Sequence, residues 1–351
     1  MITFYPGPSK VYPQIETYLR DAYQSGILSV NHRSEPFMQM LAGTIKILKS
    51  KLAIPEDYEV YFVSSATECW EIIAQSFMIS GFHVYNGAFG EKWMEYTRKL
   101  RTGVSGRYFD CNELPATDFA KELSANEIIC ITHNETSNGT VIPDAFFKEL
   151  RLKTGNLIAV DATSSMAGVA LPWTDGDIWY ASVQKCFGLP PGMGVMVVSP
   201  AAISQAKEMG EAAHYNSFLF IRDNFLKQQT PYTPNSLGIY LLGRVLEQVP
   251  SIAEVSEEIK QRAKDLYSFF ENVGFAPLIE NDAVRSDTVL AIKAEGQRLS
   301  TIKSAAKSAG IVLGNGYGSW KENTFRVANF PAITSADVTA LTTFFHSATV
   351  V

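Results

Sequence analysis

Asp161 and Lys185 are the pair whose types and spacing carry the most chemistry in this chain. Asp161 closes the apolar run Leu157 to Val160, and Lys185 follows a second such run, Trp179 to Val183, just before the Gly/Pro-rich turn Gly188 to Gly194. An amine and a carboxylate delivered by two strand ends suit pyridoxal 5′-phosphate (PLP). The amine forms a Schiff base with the cofactor, and the carboxylate keeps the pyridine nitrogen protonated so that the ring draws electrons. Each residue alone has a plainer explanation, a helix cap for Asp161 and a solvated loop residue for Lys185. Their order and shared context point to the cofactor.

Other residues offer parts of such a site. The stretch Ser64, Ser65, Ala66, Thr67 and Glu68 lies where a strand hands over to a helix, so its N–H groups and the Thr67 hydroxyl can receive a phosphate, or serve as an ordinary N-cap. Phe89, between Gly87 and Gly90, follows another strand and is either a ring to stack on a flat cofactor or a packed phenylalanine. Thr136, in the polar turn Asn134 to Gly139, can bond a phenolic oxygen or simply shape the turn. His32 and Arg33 lie in a short polar stretch suited to a carboxylate or phosphate, although loop arginines are commonly solvated. Arg326 sits inside the apolar pattern Thr324 to Ala328, where a charge needs an anionic partner.

Positioning these residues requires many strand ends on one side of a sheet. The apolar patterns predict strands at 58–63, 82–85, 106–109, 127–132, 156–160, 178–182 and 194–198, interleaved with helices at 14–23, 37–52 and 68–78. Near-continuous apolar strands alternating with helices predict an α/β fold: a mainly parallel seven-stranded sheet, covered on both faces, with ligands beyond the strand C-termini. A helix at 236–249, Pro250, a helix at 254–272, strands at 288–292 and 324–328 and a helix at 297–309 predict a smaller α+β unit. The expected organisation is an N-terminal arm, 1–15, packing on the small domain; a large domain, 16–248; and a small C-terminal domain, 249–351. Tyr5 to Pro8 is too rich in Pro and Gly for regular structure.

Composition narrows the partners. The 351 residues include 30 Lys and Arg against 36 Asp and Glu, a net charge of −6, which disfavours nucleic acid and anionic membranes. Cys69, Cys111, Cys130 and Cys186 are widely spaced, and His83, His133, His214 and His346 share no spacing with them, so no metal is expected. There is no long apolar run and no leader pattern, and the expected location is cytoplasmic.

Taken together, these residues resemble the class V aminotransferases, PLP enzymes of fold type I, and within them the phosphoserine branch. Asp161, the Gln184–Lys185 pair and Asn134, Glu135 and Thr136 carry the superfamily likeness; Asn31 to Ser34 and Ile54 to Tyr58 carry the branch. The resemblance implies that Lys185 bears the cofactor and shuttles the α-proton, and that Asp161 pairs with the ring nitrogen. It further implies that Phe89 stacks on the ring and Thr136 meets its oxygen. Ala66, Thr67 and Glu68 would form the phosphate loop with Gln184 beside it, and Thr233 from a second subunit would complete the phosphate cup, which implies a homodimer with active sites at the interface. Arg326 would hold the substrate α-carboxylate, with His32 and Arg33 on the phosphate side.

The implied reaction moves an amino group from glutamate to 3-phosphohydroxypyruvate. The chain departs from the branch at Gly318 to Lys321, where the family often has a His-Arg pair, and at the Ser64 to Glu68 loop, where a glycine-rich run is common. Another class V aminotransferase, acting on serine or alanine with glyoxylate or pyruvate, is the open alternative.

Overall fold

The computed structural model describes residues 1–347; positions 348–351, the end of the expected small domain, lie outside the described residues. The seven-stranded sheet runs, edge to edge, Glu59–Val63, Gly194–Val198, Ile178–Ser182, Ile158–Asp161, Glu127–Thr132, Ser80–Tyr85 and Val104–Tyr108. Gly194–Val198 pairs antiparallel with both its neighbours, and the other pairings are parallel. The reversal has a local cause. Only Val183 to Met193 separate Ser182 from Gly194, and that stretch turns back on itself, Val183 N–H donating to Met193 O at 3.1 Å. A parallel return needs a longer crossover.

The central strands are buried on both faces because their apolar runs are continuous: Ile128 to Ile131, Ile158 to Val160, Ile178 to Ala181 and Val195 to Val198 are all buried. One face packs against Glu35–Leu52 and Ser236–Gln248, the other against Ala66–Ser76 and Phe218–Phe225. The α/β architecture and the mostly parallel seven-stranded sheet match the expectation.

A second, four-stranded sheet runs Ile2–Phe4, Ile311–Asn315, Thr324–Ala328 and Val289–Lys293. Its core includes Phe270, Phe275, Phe325 and Phe345, in mutual edge or stacked contacts, against the helix Ile252–Asn272. That helix starts at a full capping box, with Ser251 and Glu254 exchanging hydrogen bonds. Two of the four strands were not expected. Ile311–Asn315 is short and Gly-flanked, and Ile2–Phe4 precedes the proline-rich arm, so neither has a local pattern long enough to recognise. Pairing with neighbours makes them strands: Ile2, Thr3 and Phe4 lie in parallel register with Ile311, Val312 and Leu313. The helix Ala88–Leu100, which carries Phe89, also went unassigned in the sequence. No helix among the described residues is long and apolar enough to cross a membrane.

Candidate active site

The C-terminal ends of the central strands open into a cavity of about 590 Å³, lined also by the arm residues Tyr5 to Pro8, by Tyr317 two residues past the strand Ile311–Asn315, and by Arg326 of the second sheet. Asp161 ends its strand opposite Tyr180 of the next, and Lys185 follows three residues beyond that strand's last member, Ser182. Both side chains line the cavity. Lys185 Nζ donates to Thr136 Oγ1 at 2.7 Å and to Ser164 Oγ at 3.0 Å. Burial lowers its pKa from 10.5 to about 8, against the opposing attraction of Asp161. Burial also raises the pKa of Asp161, although Thr163 N–H donates to its Oδ1 at 2.9 Å. A lone carboxylate held in such a place is stabilised by a cationic partner.

Arg326 enters from the second sheet, only 3% exposed. Its Nε donates to Asn315 O at 2.7 Å and its Nη1 to Thr136 O at 2.6 Å, which fix the plane of the guanidinium at the cavity wall. Burial lowers its pKa to about 10, while Tyr5 and Glu135 oppose that shift. A guanidinium so anchored retains donors for a carboxylate in the cavity.

Phe89 stands in the first turn of its helix, stacked on Tyr317 with centroids 5.0 Å apart, and its ring lies 5.3 Å from Lys185 Nζ. Glu135 holds that turn. Its carboxylate accepts from Gly90 N–H at 3.1 Å and from Ser137 N–H at 2.9 Å, and Gly87 must be a glycine because a Cβ there would sit 2.4 Å from Glu135 Cγ.

At the other end, Ala66, Thr67, Ser182 and Gln184 line the wall at the start of the helix Ala66–Ser76. Ser65 caps that helix, its Oγ accepting from Glu68 N–H at 3.1 Å. The Glu68 carboxylate is spent on Ser64 N–H at 2.7 Å and the Tyr215 hydroxyl at 3.1 Å, and Glu68 does not line the cavity. Ala66 N–H donates to Ser182 Oγ at 2.9 Å, so with the Glu68 carboxylate turned away it is Thr67 that the helix N-terminus presents to an anion in the cavity.

Of the residues singled out in the sequence, Ala66, Thr67, Phe89, Thr136, Asp161, Gln184, Lys185 and Arg326 thus line one cavity. Thr233 lies instead at a separate crevice with Ser64 and Asn235. Arg33 is exposed and donates to Gln229 Oε1 at 2.9 Å, and His32 beside it is likewise outside the cavity. Lys321 is exposed next to Glu322.

Sequence reasoning missed Ser164, which accepts from Lys185, and Tyr317, Lys92 and the arm residue Gly7, which line the cavity. Ser164, three residues after Asp161, had the one readable signal, a small polar residue just past a strand end. The rest come together only through packing between distant segments.

The cavity suits a polar small-molecule ligand on the evidence of its own walls. Thr132 Oγ1, Asn134 Nδ2 and Thr163 Oγ1 are buried without a hydrogen-bond partner, and all three residues line it. Such groups are costly unless a ligand satisfies them, and the volume is that of an ordinary small-molecule site.

The sequence profile described as "Aminotransferase class-V" matches residues 6–321. A phosphoserine aminotransferase from Rhodococcus opacus (strain B4) is 27% identical over 348 residues, covering 96% of this chain and 92% of the relative. Among solved structures, a phosphoserine aminotransferase from Cytophaga hutchinsonii aligns over 98% of this chain and 97% of its own, with a TM-score of 0.92 and 32% identity. An alanine–glyoxylate aminotransferase from Nostoc sp. aligns over 98% and 94%, with a TM-score of 0.87 and 19% identity.

Proposed function

The chain belongs to the class V aminotransferases, and from that premise we propose that it uses PLP to transfer the amino group of glutamate to 3-phosphohydroxypyruvate, forming phosphoserine for serine biosynthesis. The observation that carries the reading is the convergence of Lys185, Asp161 and Arg326 on one cavity. Lys185 would hold the cofactor, Asp161 its ring nitrogen, Thr136 its ring oxygen and Phe89 its face; Ala66, Thr67 and Gln184 would receive its phosphate. Bound there, PLP supplies an electron sink for the charge left when the α-carbon of an amino acid loses its proton.

The chain's own groups do the rest. Arg326 grips the substrate α-carboxylate and thereby fixes which bond at the α-carbon faces Lys185. With its pKa lowered to about 8, the Lys185 amine is poised to take and return that proton near neutral pH. The arm from Tyr5 to Pro8 lies along the Lys185 stem and would shield it from water.

A homodimer is part of the proposal. Thr233 and Arg33 are exposed and stand apart from their own cavity, and the segment Phe218 to Gln229, whose last residue accepts from Arg33, leaves Phe220 45% and Leu226 57% exposed. These residues would meet a second copy, bringing His32, Arg33 and Thr233 to its cavity. A second reading, transamination of serine or alanine with glyoxylate or pyruvate, draws on the Gly318 to Lys321 stretch, which lacks a His-Arg pair. The two readings separate in a half-reaction titration with phosphoserine, glutamate, serine and alanine, followed by cofactor absorbance. Conversion by phosphoserine and glutamate alone supports the first; preference for serine or alanine replaces it with the second.

A further inference from the structure

The stretch Gly318 to Lys321 has no basic pair, yet it does not leave the cavity wall without a cation. It packs on the start of the helix Ala88–Leu100: a Cβ on Gly318 would lie 3.5 Å from Ala88 Cβ. One turn into that helix, three residues after Phe89 and on the same face, Lys92 reaches back to the stretch. Its Nζ donates to the Tyr317 hydroxyl at 2.7 Å, 5.1 Å from the Tyr317 ring centroid and 5.9 Å from that of Phe89. Lys92 lines the cavity. The Arg326 guanidinium lies 5.6 Å from the same Tyr317 ring, so one aromatic ring is shared by the group suited to the α-carboxylate and by a second, more exposed cation.

The other cations that this chain itself gives to the wall are otherwise engaged. Lys185 faces Thr136 and Ser164, and Lys99 lies over the Tyr96 ring at 4.2 Å, ten residues beyond Phe89 and hence about 15 Å along the helix. Lys321, the nearest basic residue in sequence, points to Glu322 on the surface and is absent from the wall. Glu95, the one carboxylate of this helix on the wall, attracts Lys92, and the hydrogen bond from Lys92 goes to Tyr317 instead.

Resting on the proposed transamination, we infer that Lys92, oriented by Tyr317, reads the second anion of the substrate, accepting in turn the phosphate of phosphoserine and the side-chain carboxylate of glutamate. Both substrates of a two-step exchange must use one cavity. An ammonium on a flexible stem, which makes point-charge contacts rather than a fixed planar fork, accommodates anions of different shape and reach. Lys92 is then a specificity-determining residue supplied by the large-sheet side of the cavity.

The test compares wild type, Lys92→Met and Lys92→Arg in the half-reaction with phosphoserine, glutamate, serine and alanine. The readout is the ratio of kcat/KM for each anionic substrate over its neutral counterpart. Lys92→Met should lower the phosphoserine-to-serine and glutamate-to-alanine ratios by about tenfold to a hundredfold, the range of one charge-assisted contact, chiefly through KM, and Lys92→Arg should restore most of the loss. Lys92 is exposed, so neither change threatens folding. Ratios unaltered in Lys92→Met would overturn the inference, as would equal losses with all four amino acids. A wild-type protein that converts serine as fast as phosphoserine would instead defeat the proposed substrate, and the glutamate-to-alanine ratio would still decide the role of Lys92.

Discussion

Replacing Gly7 with alanine should cripple Lys185 while leaving its identity unchanged. Gly7 has φ +134°, a conformation that L side chains rarely adopt, and a Cβ there would sit 2.9 Å from Lys185 Cε and 3.5 Å from its Cγ. Carbon atoms prefer about 3.5–4.0 Å. The arm cannot readily swing aside, because Ile2 to Phe4 are paired with Ile311 to Leu313 on one side and Ser9 N–H donates to Gln184 O at 3.0 Å on the other. The backbone conformation alone costs about 1–3 kcal/mol. That strain lowers stability, whereas the 2.9 Å contact is relieved by displacing the Lys185 stem, and a displacement of about 1 Å at a reacting group lowers kcat/KM by about a hundredfold. The control is Gly26→Ala. Gly26 also has positive φ, +75°, but nothing lies within 4 Å of its added Cβ. Half-reaction kinetics and thermal denaturation of both variants should show both proteins losing stability and only Gly7→Ala losing activity at saturating cofactor. Full activity in Gly7→Ala would refute the packing of the arm on the lysine.

Arg326 and Lys185 yield two further predictions. Arg326→Lys should reduce kcat/KM by about a hundredfold or more with every amino acid, since lysine cannot satisfy both Asn315 O and Thr136 O while gripping a carboxylate; a loss confined to phosphorylated substrates would move Arg326 away from the α-carboxylate. In the cofactor-free protein, the rate of PLP uptake should rise with pH about a midpoint near 8 and then level off, because only the neutral amine attacks and burial brings the Lys185 pKa down from 10.5 to about 8. At pH 7 about a tenth of the amine is then neutral, against about one part in three thousand for an ordinary lysine. A rate still climbing at pH 10 would contradict the lowered pKa.

What could be read in the chain, and what could not, follows from how far apart the cooperating residues lie. Asp161, Thr136 and Lys185 each follow an apolar strand closely, so local pattern suffices to send them to one edge of the sheet. Arg326 betrays itself by being charged within a buried strand. Tyr317 and Lys92 carry no such mark, for their significance arises only when residues 225 positions apart are folded into contact. Gly7 is equally silent, because what makes it necessary is the stem of Lys185. The strands Ile2–Phe4 and Ile311–Asn315 are defined by each other, and the reversed direction of Gly194–Val198 is set by the tight turn before it. His32 and Arg33 are legible as a basic pair in a short polar stretch and Thr233 only through the resemblance, and their own chain's cavity lies elsewhere.

The most direct test of the account is chemical. Purified protein saturated with PLP and reduced with borohydride should carry the cofactor permanently on one peptide, with the added mass on Lys185, and Lys185→Ala treated in the same way should carry none. Label on another lysine, or equal label in Lys185→Ala, would contradict the assignment of this cavity as the catalytic centre.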